Sequence, residues 1–286
     1  MAVSSACSSP ARRDVPELKE ISVLPFAAQP TESVAPQVTV RVMTLNAAHG
    51  RGTGFHQLLQ PAKKQRRNIA RIGALLQREQ PHLVALQEAD AESFWSGNFN
   101  HVRFLAEAGR YRQYVHNELV DKPGLAHGTA LISALTMNDP LAVTFRPSPG
   151  GTAKGFVLST VVWPGSDDLL VDVLSVHLEA FRSGLRARQL DELIESVSDR
   201  NRPLIVMGDF NTRWQGRRNV LPRLTQALNL QAYEPDSKEH ASLPMFKRRV
   251  DWILVSPEFE FVSYETLSDV VSDHRPVVAE IALRRD

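Results

Sequence analysis

A single cysteine, Cys7, stands in 286 residues, so no disulfide can form within the chain and a reducing compartment is the default expectation. No stretch approaches the roughly 18 to 20 apolar residues that a membrane-spanning helix needs. The first 36 residues lack the continuous apolar segment of a secretory signal, which leaves the cytoplasm as the expected location. Charge of one sign is missing too: 33 Lys and Arg against 32 Asp and Glu give a formal net charge of +1. That balance argues against non-specific coating of nucleic acid, although it permits a local basic patch. No short internal period recurs. Nothing in the sequence signals a protein partner or fixes an oligomeric state.

What is present is a sizeable core. Hydrophobic residues make up 43% of the chain, enough for one large domain or two small ones. Residues 1–37 are rich in Ala, Ser and Pro, and read as a poorly ordered leader, with Ile21 to Phe26 as the stretch suited to docking. A single domain is expected over residues 38–285. Apolar runs rich in β-branched residues predict strands over 38–45, 82–86, 111–116, 129–133, 141–145, 156–163, 169–176, 204–207, 250–255, 259–264 and 277–282. Apolar residues at helical spacing predict helices over 62–80 and 184–197, and further helices are expected over 98–108 and 218–228. Turn formers mark 117–128 as a loop. Strands, a helix, a strand and a polar residue at its end occur once, then again. That two-half rhythm points to two packed sheets flanked by helices.

The polar residues that end these strands carry the functional argument. Residues 204–214 (LIVMGDFNTRW) run from a buried strand through Gly208 into Asp209 and Asn211. Two residues apart, these would face the same way in extended geometry. An acid that orients water and an amide that donates to an oxygen suit work on phosphate. Alone, the stretch reads first as a strand followed by an Asx turn. Asn46, Glu88, His177, Asp251, Asp273 and His274 occupy similar strand ends, where ligands of open α/β sheets gather. Taken singly, each has an ordinary role as a turn cap, ion pair or core histidine.

In order, MTLNAAHG, VALQEAD, LSVHLEA, IVMGDFN, RVDWILVS and VSDHRPVVAEI resemble the motifs of the endonuclease/exonuclease/phosphatase superfamily across residues 40–283. The resemblance implies an α/β fold, a four-layer α/β sandwich of two mixed β-sheets between helices. It also implies a phosphate-ester hydrolase dependent on Mg²⁺, with Mn²⁺ as a substitute. Glu88 would ligate the cation, Asn46 would sit beside it or hold its water shell, and Asp273 would add charge on the same side. Asp209 would orient or deprotonate water, and Asn211, His177 and His274 would contact phosphoryl oxygens. Asp251 would fix the tautomer of His274. Thr129 and Ala134 depart from the family pattern, leaving asparagine and arginine absent there.

The branch stays open. A phosphodiesterase with nuclease-like chemistry is the leading expectation. Basic clusters at Lys63, Lys64, Arg66 and Arg67, at Arg213, Arg217 and Arg218, and at Lys247, Arg248 and Arg249 suit a polyanion. Arg213, Trp214, Lys247 and Arg248 are the expected substrate contacts, with Trp214 placed to stack on a base. Phe94, Trp95 and Phe99 could instead form an apolar wall for a phospholipid, the sphingomyelinase-like alternative. An inositol-polyphosphate phosphatase is a third enzyme reading. The reading from another class is a catalytically silent binding protein on the same scaffold.

Overall fold

Alternation along the first core strand decides which side chains meet which layer. Val40 and Val42 point to one side and Met43 and Leu45 to the other, and both sides are buried. A strand apolar on both faces needs cover on both. The computed structural model supplies it, and describes residues 11–21, 38–56, 60–122, 125–146 and 153–285.

In chain order the strands are β1 (Arg12–Asp14), β2 (Lys19–Glu20), β3 (Thr39–Asn46), β4 (Leu83–Asp90), β5 (Gln113–Lys122), β6 (Leu125–Ser133) and β7 (Met137–Thr144). They continue with β8 (Gly155–Val162), β9 (Leu170–His177), β10 (Leu204–Asp209), β11 (Gln231–Ala232), β12 (Asp251–Val255), β13 (Phe259–Thr266) and β14 (Val277–Leu283). The helices are α1 (Ala62–Glu79), α2 (His101–Ala108), α3 (Ser183–Val197) and α4 (Val220–Ala227). Two seven-stranded mixed sheets result, ordered β1-β7-β8-β9-β10-β12-β11 and β13-β14-β3-β4-β6-β5-β2.

Between the sheets lies a core that includes Val40, Val42, Leu83, Val157, Val173, Ile205, Met207 and Ile253. On the outer face of the second sheet, Ile69, Ile72 and Leu76 of α1 and Val102 and Leu105 of α2 cover Met43, Leu45, Val84 and Leu86. On the outer face of the first, Leu190 and Leu193 of α3 and Leu221 and Leu224 of α4 cover Leu174, Val176, Val206 and Leu254. Each such Leu or Ile contributes about 1.5–3 kcal/mol on burial. This is the expected four-layer sandwich. The two-half rhythm has a topological basis: β3 and β4 are parallel and joined through α1, and β9 and β10 are parallel and joined through α3.

Three expectations need correction. Residues 117–122 and 125–128 are strand, not loop, because β5 and β6 form a long antiparallel pair. A run of turn formers, Asn117 among them, made that segment look like a loop. Its side chain is buried and donates to the carbonyls of Val143 and Phe156, both at 3.1 Å, tying one sheet to the other. Strand β4 runs on past Leu86 to Asp90. Part of the supposed leader is ordered: β1 pairs with β7 at the edge of one sheet, and β2 pairs with β5 at the edge of the other. Open sheet edges offer unpaired backbone groups, and residues 12–20 satisfy some of them. Ile21 packs against the helix-covered core. Cys7 and the rest of the 22–26 docking stretch lie outside the described residues.

Candidate active site

Register alone aligns half of the site. Asp209 ends β10 directly opposite His177 on β9 and Asp251 on β12. Three neighbouring strands therefore present an imidazole and two carboxylates at one level. Gly208 permits the close approach: its φ is +151°, and a Cβ there would lie 2.0 Å from the Val176 carbonyl oxygen. Beyond the strand, Asn211 takes a left-handed backbone with φ 51°. Its N–H donates to Asp209 Oδ1 at 2.8 Å and its amide to Asp209 Oδ2 at 3.2 Å. Asp209 and Asn211 thus meet through an Asx turn rather than on one face of an extended strand. The ordinary and the functional reading of that stretch describe the same geometry.

Asp209 is buried and also accepts from the Asn46 amide at 3.0 Å, a contact that crosses from the other sheet. His177 Nε2 is 3.5 Å and His274 Nε2 is 3.9 Å from Asp209 Oδ2. Behind His274, Asp251 Oδ2 meets Nδ1 at 2.8 Å. The Ser242 hydroxyl accepts from the backbone N–H groups of Val250 and Asp251, which steadies that carboxylate.

The other half is built on a bulge. In β4, Leu86 pairs with Ala130 but Ala89 pairs with Gly128, so Gln87 and Glu88 together oppose Thr129. Glu88 has φ 47°. Bulges near active sites re-aim side chains, and this one turns Glu88 toward the centre. There its carboxylate meets Arg51 Nη1 at 3.2 Å, His49 Nε2 at 3.4 Å, and Lys154 Nζ and His177 Nε2 at 3.9 Å each. Arg51 Nη2 reaches Asp273 Oδ2 at 2.5 Å. Below, the Gln87 amide donates to Ser175 Oγ at 3.1 Å and Ser175 to the Leu86 carbonyl at 3.0 Å. These buried bonds join the two sheets directly beneath the site.

All eight strand-end residues from Asn46 to His274 therefore fall in one linked cluster. Arg213, Lys247 and Arg248 stay exposed in flanking loops, and Trp214 packs half-buried with its ring 5.7 Å from Trp252. Arg249 does not face the cluster: it is buried over Trp252 and Tyr264 and donates to the carbonyls of Tyr233 and Glu234. The expected apolar wall is dispersed. Phe99 is buried under Arg66, and the Trp95 indole donates to Asp90 at 2.8 Å while packing on His49. Only Phe94 of that trio is exposed.

Four residues escaped the sequence reading. Lys154 immediately precedes β8 instead of ending a strand, but the antiparallel register sets the neighbouring Gly155 opposite His177. Its ammonium lies 3.1 Å from His177 Nε2. Arg51 and His49 belong to the loop after Asn46, and Asp90 lies two past Glu88 and holds His49 Nδ1 at 2.7 Å. For His49, Arg51 and Asp90 the available signal was a charged or titratable side chain within five positions of Asn46 or Glu88; Lys154 had no such signal.

Electrostatics divides the cluster. Burial would raise the Glu88 carboxyl, but His49, Lys154, His177 and Arg51 outweigh it and hold the group well below the usual range. Burial opposes protonation of His274, yet Asp251 and Asp209 raise it to about 10. Burial, then Lys154, keeps His177 neutral. Asp209 is pushed upward, first by burial and then by Asp251.

These donors bear on a divalent cation. Asp209, Asp251 and His274 bring ligand atoms within 4.8 Å of one another. Asp251 Oδ2 and His274 Nδ1 already bond each other at 2.8 Å, which commits part of that trio. Glu88 and Asp273 are hard oxygen donors close enough for one guanidinium to span, and they suit an ion that prefers carboxylates and retained water.

A family model described as the endonuclease/exonuclease/phosphatase family matches residues 43–274. The UPF0294 protein of Yersinia enterocolitica is 30% identical over 129 residues, covering 42% of this chain and 45% of that protein. The match to that curated relative thus spans less than half of its length. Among solved structures, an endonuclease/exonuclease/phosphatase from Beutenbergia cavernae superposes with TM-score 0.70 at 22% identity, covering 86% of this chain and 72% of that one. The human Nocturnin catalytic domain, with a bound sulfate, gives 0.62 at 17% identity, covering 94% and 98%. A mannosyl-6-phosphatase of Bacteroides thetaiotaomicron gives 0.61 at 16%, covering 85% and 100%. At these identities the solved structures speak to the fold.

Proposed function

The chain belongs to the endonuclease/exonuclease/phosphatase family, and from that premise we propose that it hydrolyses phosphate esters, with phosphodiesters as the leading substrate class. The observation that carries this reading is the buried row of His177, Asp209 and Asp251 with His274 beside it. Glu88 and Asp273 would hold Mg²⁺ or Mn²⁺, with Asn46 alongside. When bound, such an ion supplies positive charge that offsets the charge building on phosphoryl oxygen.

The chain's own residues do the rest. Water enters in line with the leaving oxygen: one P–O bond forms from water as the bond to the leaving group breaks. Asp209, acceptor of three hydrogen bonds from Asn46 and Asn211, orients that water and takes its proton. His274, held protonated by Asp251, donates through Nε2 to a phosphoryl oxygen. His177 stays neutral and, with Lys154 behind it, contributes a second donor face. Asn211 positions the same phosphate.

A phospholipid is the second reading, favoured by one observation. Phe55, Phe94, Phe181 and Phe246 are exposed, and each lies within six residues of Arg51, Glu88, His177 or Asp251 along the chain. Exposed aromatic side chains close in sequence to the residues of a phosphate site suit an interface between water and lipid. The test is a panel of plasmid DNA, oligoribonucleotide, sphingomyelin vesicles, phosphoinositide, nucleotide and sugar phosphate, with and without Mg²⁺. Salt-sensitive cleavage of nucleic acid supports the nuclease-like reading, and activity that rises on vesicles supports the lipid one. Release of free phosphate from phosphoinositide or sugar phosphate marks a monoesterase. No Mg²⁺-dependent hydrolysis of any substrate contradicts the proposal.

A further inference from the structure

Arg51 holds the two carboxylates assigned above to the cation. Its guanidinium spans Glu88 Oε2 and Asp273 Oδ2 at 3.2 and 2.5 Å, a planar fork between two acids from distant parts of the chain. The side chain is 18% exposed, so this is an enclosed ion pair rather than a solvated one. The backbone beneath is fixed. Ala48, His49, Gly50 and Gly52 all have positive φ, and Asn68 donates to the Gly50 carbonyl at 2.9 Å. The Arg51 N–H bonds to the Ala48 carbonyl at 2.9 Å. A rigid loop carrying a long, flexible side chain lets the guanidinium move while its Cα stays in place.

We infer that Arg51 is an exchangeable cation: it holds Glu88 and Asp273 together until a divalent ion takes them, then turns to bind the substrate's phosphate. This rests on the metal assignment under the proposed function. An ion bound between Glu88 Oε2 and Asp273 Oδ2 would take the two oxygens that the guanidinium now holds, so the ion and Arg51 compete for them. The displaced guanidinium stays on a loop that shares Glu88 with His177 and Lys154, where a phosphate dianion or diester is a strong partner of the right sign. Two sites linked in this way are coupled, and coupling is reciprocal. Ion binding therefore raises phosphate affinity partly through Arg51, and Arg51 guards the acids against random cations when phosphate is absent.

Calorimetric titration of Mn²⁺ into the full chain tests the first half. Arg51→Met should bind Mn²⁺ about five- to tenfold more tightly than wild type, in the usual range of coupling between sites, with Arg51→Lys in between. Titration of inorganic phosphate into the Mn²⁺-saturated protein tests the second: Arg51→Met should bind it about tenfold more weakly. Unchanged or weaker Mn²⁺ binding by a folded Arg51→Met overturns the inference and makes Arg51 a simple tie for the Asp273 loop. Unchanged phosphate affinity overturns it as well. A crystal structure of the wild-type protein with Mn²⁺ and phosphate decides independently of any variant: Arg51 on the phosphate supports exchange, and Arg51 still bridging Glu88 and Asp273 refutes it. Failure of wild type to bind Mn²⁺ at all would sink the metal assignment together with this inference. Wild-type binding lost in Glu88→Gln but unaltered by Arg51→Met would sink the inference alone.

Discussion

Asp251 shows how much a buried residue can do without touching substrate. Fully buried and 2.8 Å from His274 Nδ1, it raises the imidazole and fixes which nitrogen faces Asp209. Asp251→Asn should keep the fold and lower kcat by about a hundred- to ten-thousand-fold, the range for losing an acid–base function. Steady-state kinetics on the best substrate of the panel checks it, and a loss below threefold would contradict the role. His116 makes a second prediction at this scale. Burial pulls its ring down to about 4, whereas the unfolded ring titrates near 6.5. The unfolded chain then binds the extra proton, so this contribution is full above about pH 6.5 and is lost as pH falls toward 4. Between pH 7.5 and 5, His116→Gln should lose about 2 kcal/mol less stability than wild type; equal losses in urea unfolding would refute this. At the residue scale the sequence was most legible where a polar side chain ends an apolar run, as at His177 and Asp209. It was least legible where a residue enters from an antiparallel neighbour, as Lys154 does.

The parts of the site that propensity cannot reveal are properties of elements. The bulge in β4 extends the strand past Leu86 and turns Glu88 inward, yet VALQEAD reads as a strand that simply stops. Bulges are set by pairing with a partner, here Ala130 and Gly128 of β6, and no local pattern encodes the partner. Asn117 misleads in the same way, because its partners are the carbonyls of Val143 and Phe156 in the opposite sheet. Gly208 is the contrary case. Its position before Asp209 marked the end of the strand, and the structure adds that a Cβ would collide with the Val176 carbonyl. Gly208→Ala should cost about 2–3 kcal/mol, as overpacking and an incompatible backbone do. Urea unfolding checks this, and a midpoint within error of wild type would show that β9 and β10 can part at no cost.

For the whole molecule, two packed sheets flanked by helices followed from the strand–helix–strand rhythm of each half, and the four-layer sandwich from the resemblance of the six motifs. The route of residues 11–21 along the edges of both sheets did not, since short polar edge strands such as Arg12–Asp14 carry no pattern of their own. The site draws on both sheets: Asn46 and Glu88 come from one, His177, Asp209 and Asp251 from the other. A cation that binds only the folded chain should therefore stabilise the entire unit. Mn²⁺ at a hundred times its Kd should add about 2.7 kcal/mol, seen as a rise in Tm that Glu88→Gln abolishes; an equal rise in that variant would place the ion elsewhere. The central claim, hydrolysis by water positioned on Asp209, is tested most directly by turnover of bis(p-nitrophenyl) phosphate. Wild type with Mg²⁺ should hydrolyse it, chelator should stop it and added Mg²⁺ restore it, and folded Asp209→Ala should fall by about a thousandfold or more. Turnover by Asp209→Ala within tenfold of wild type, or undiminished turnover in excess chelator, would contradict the account.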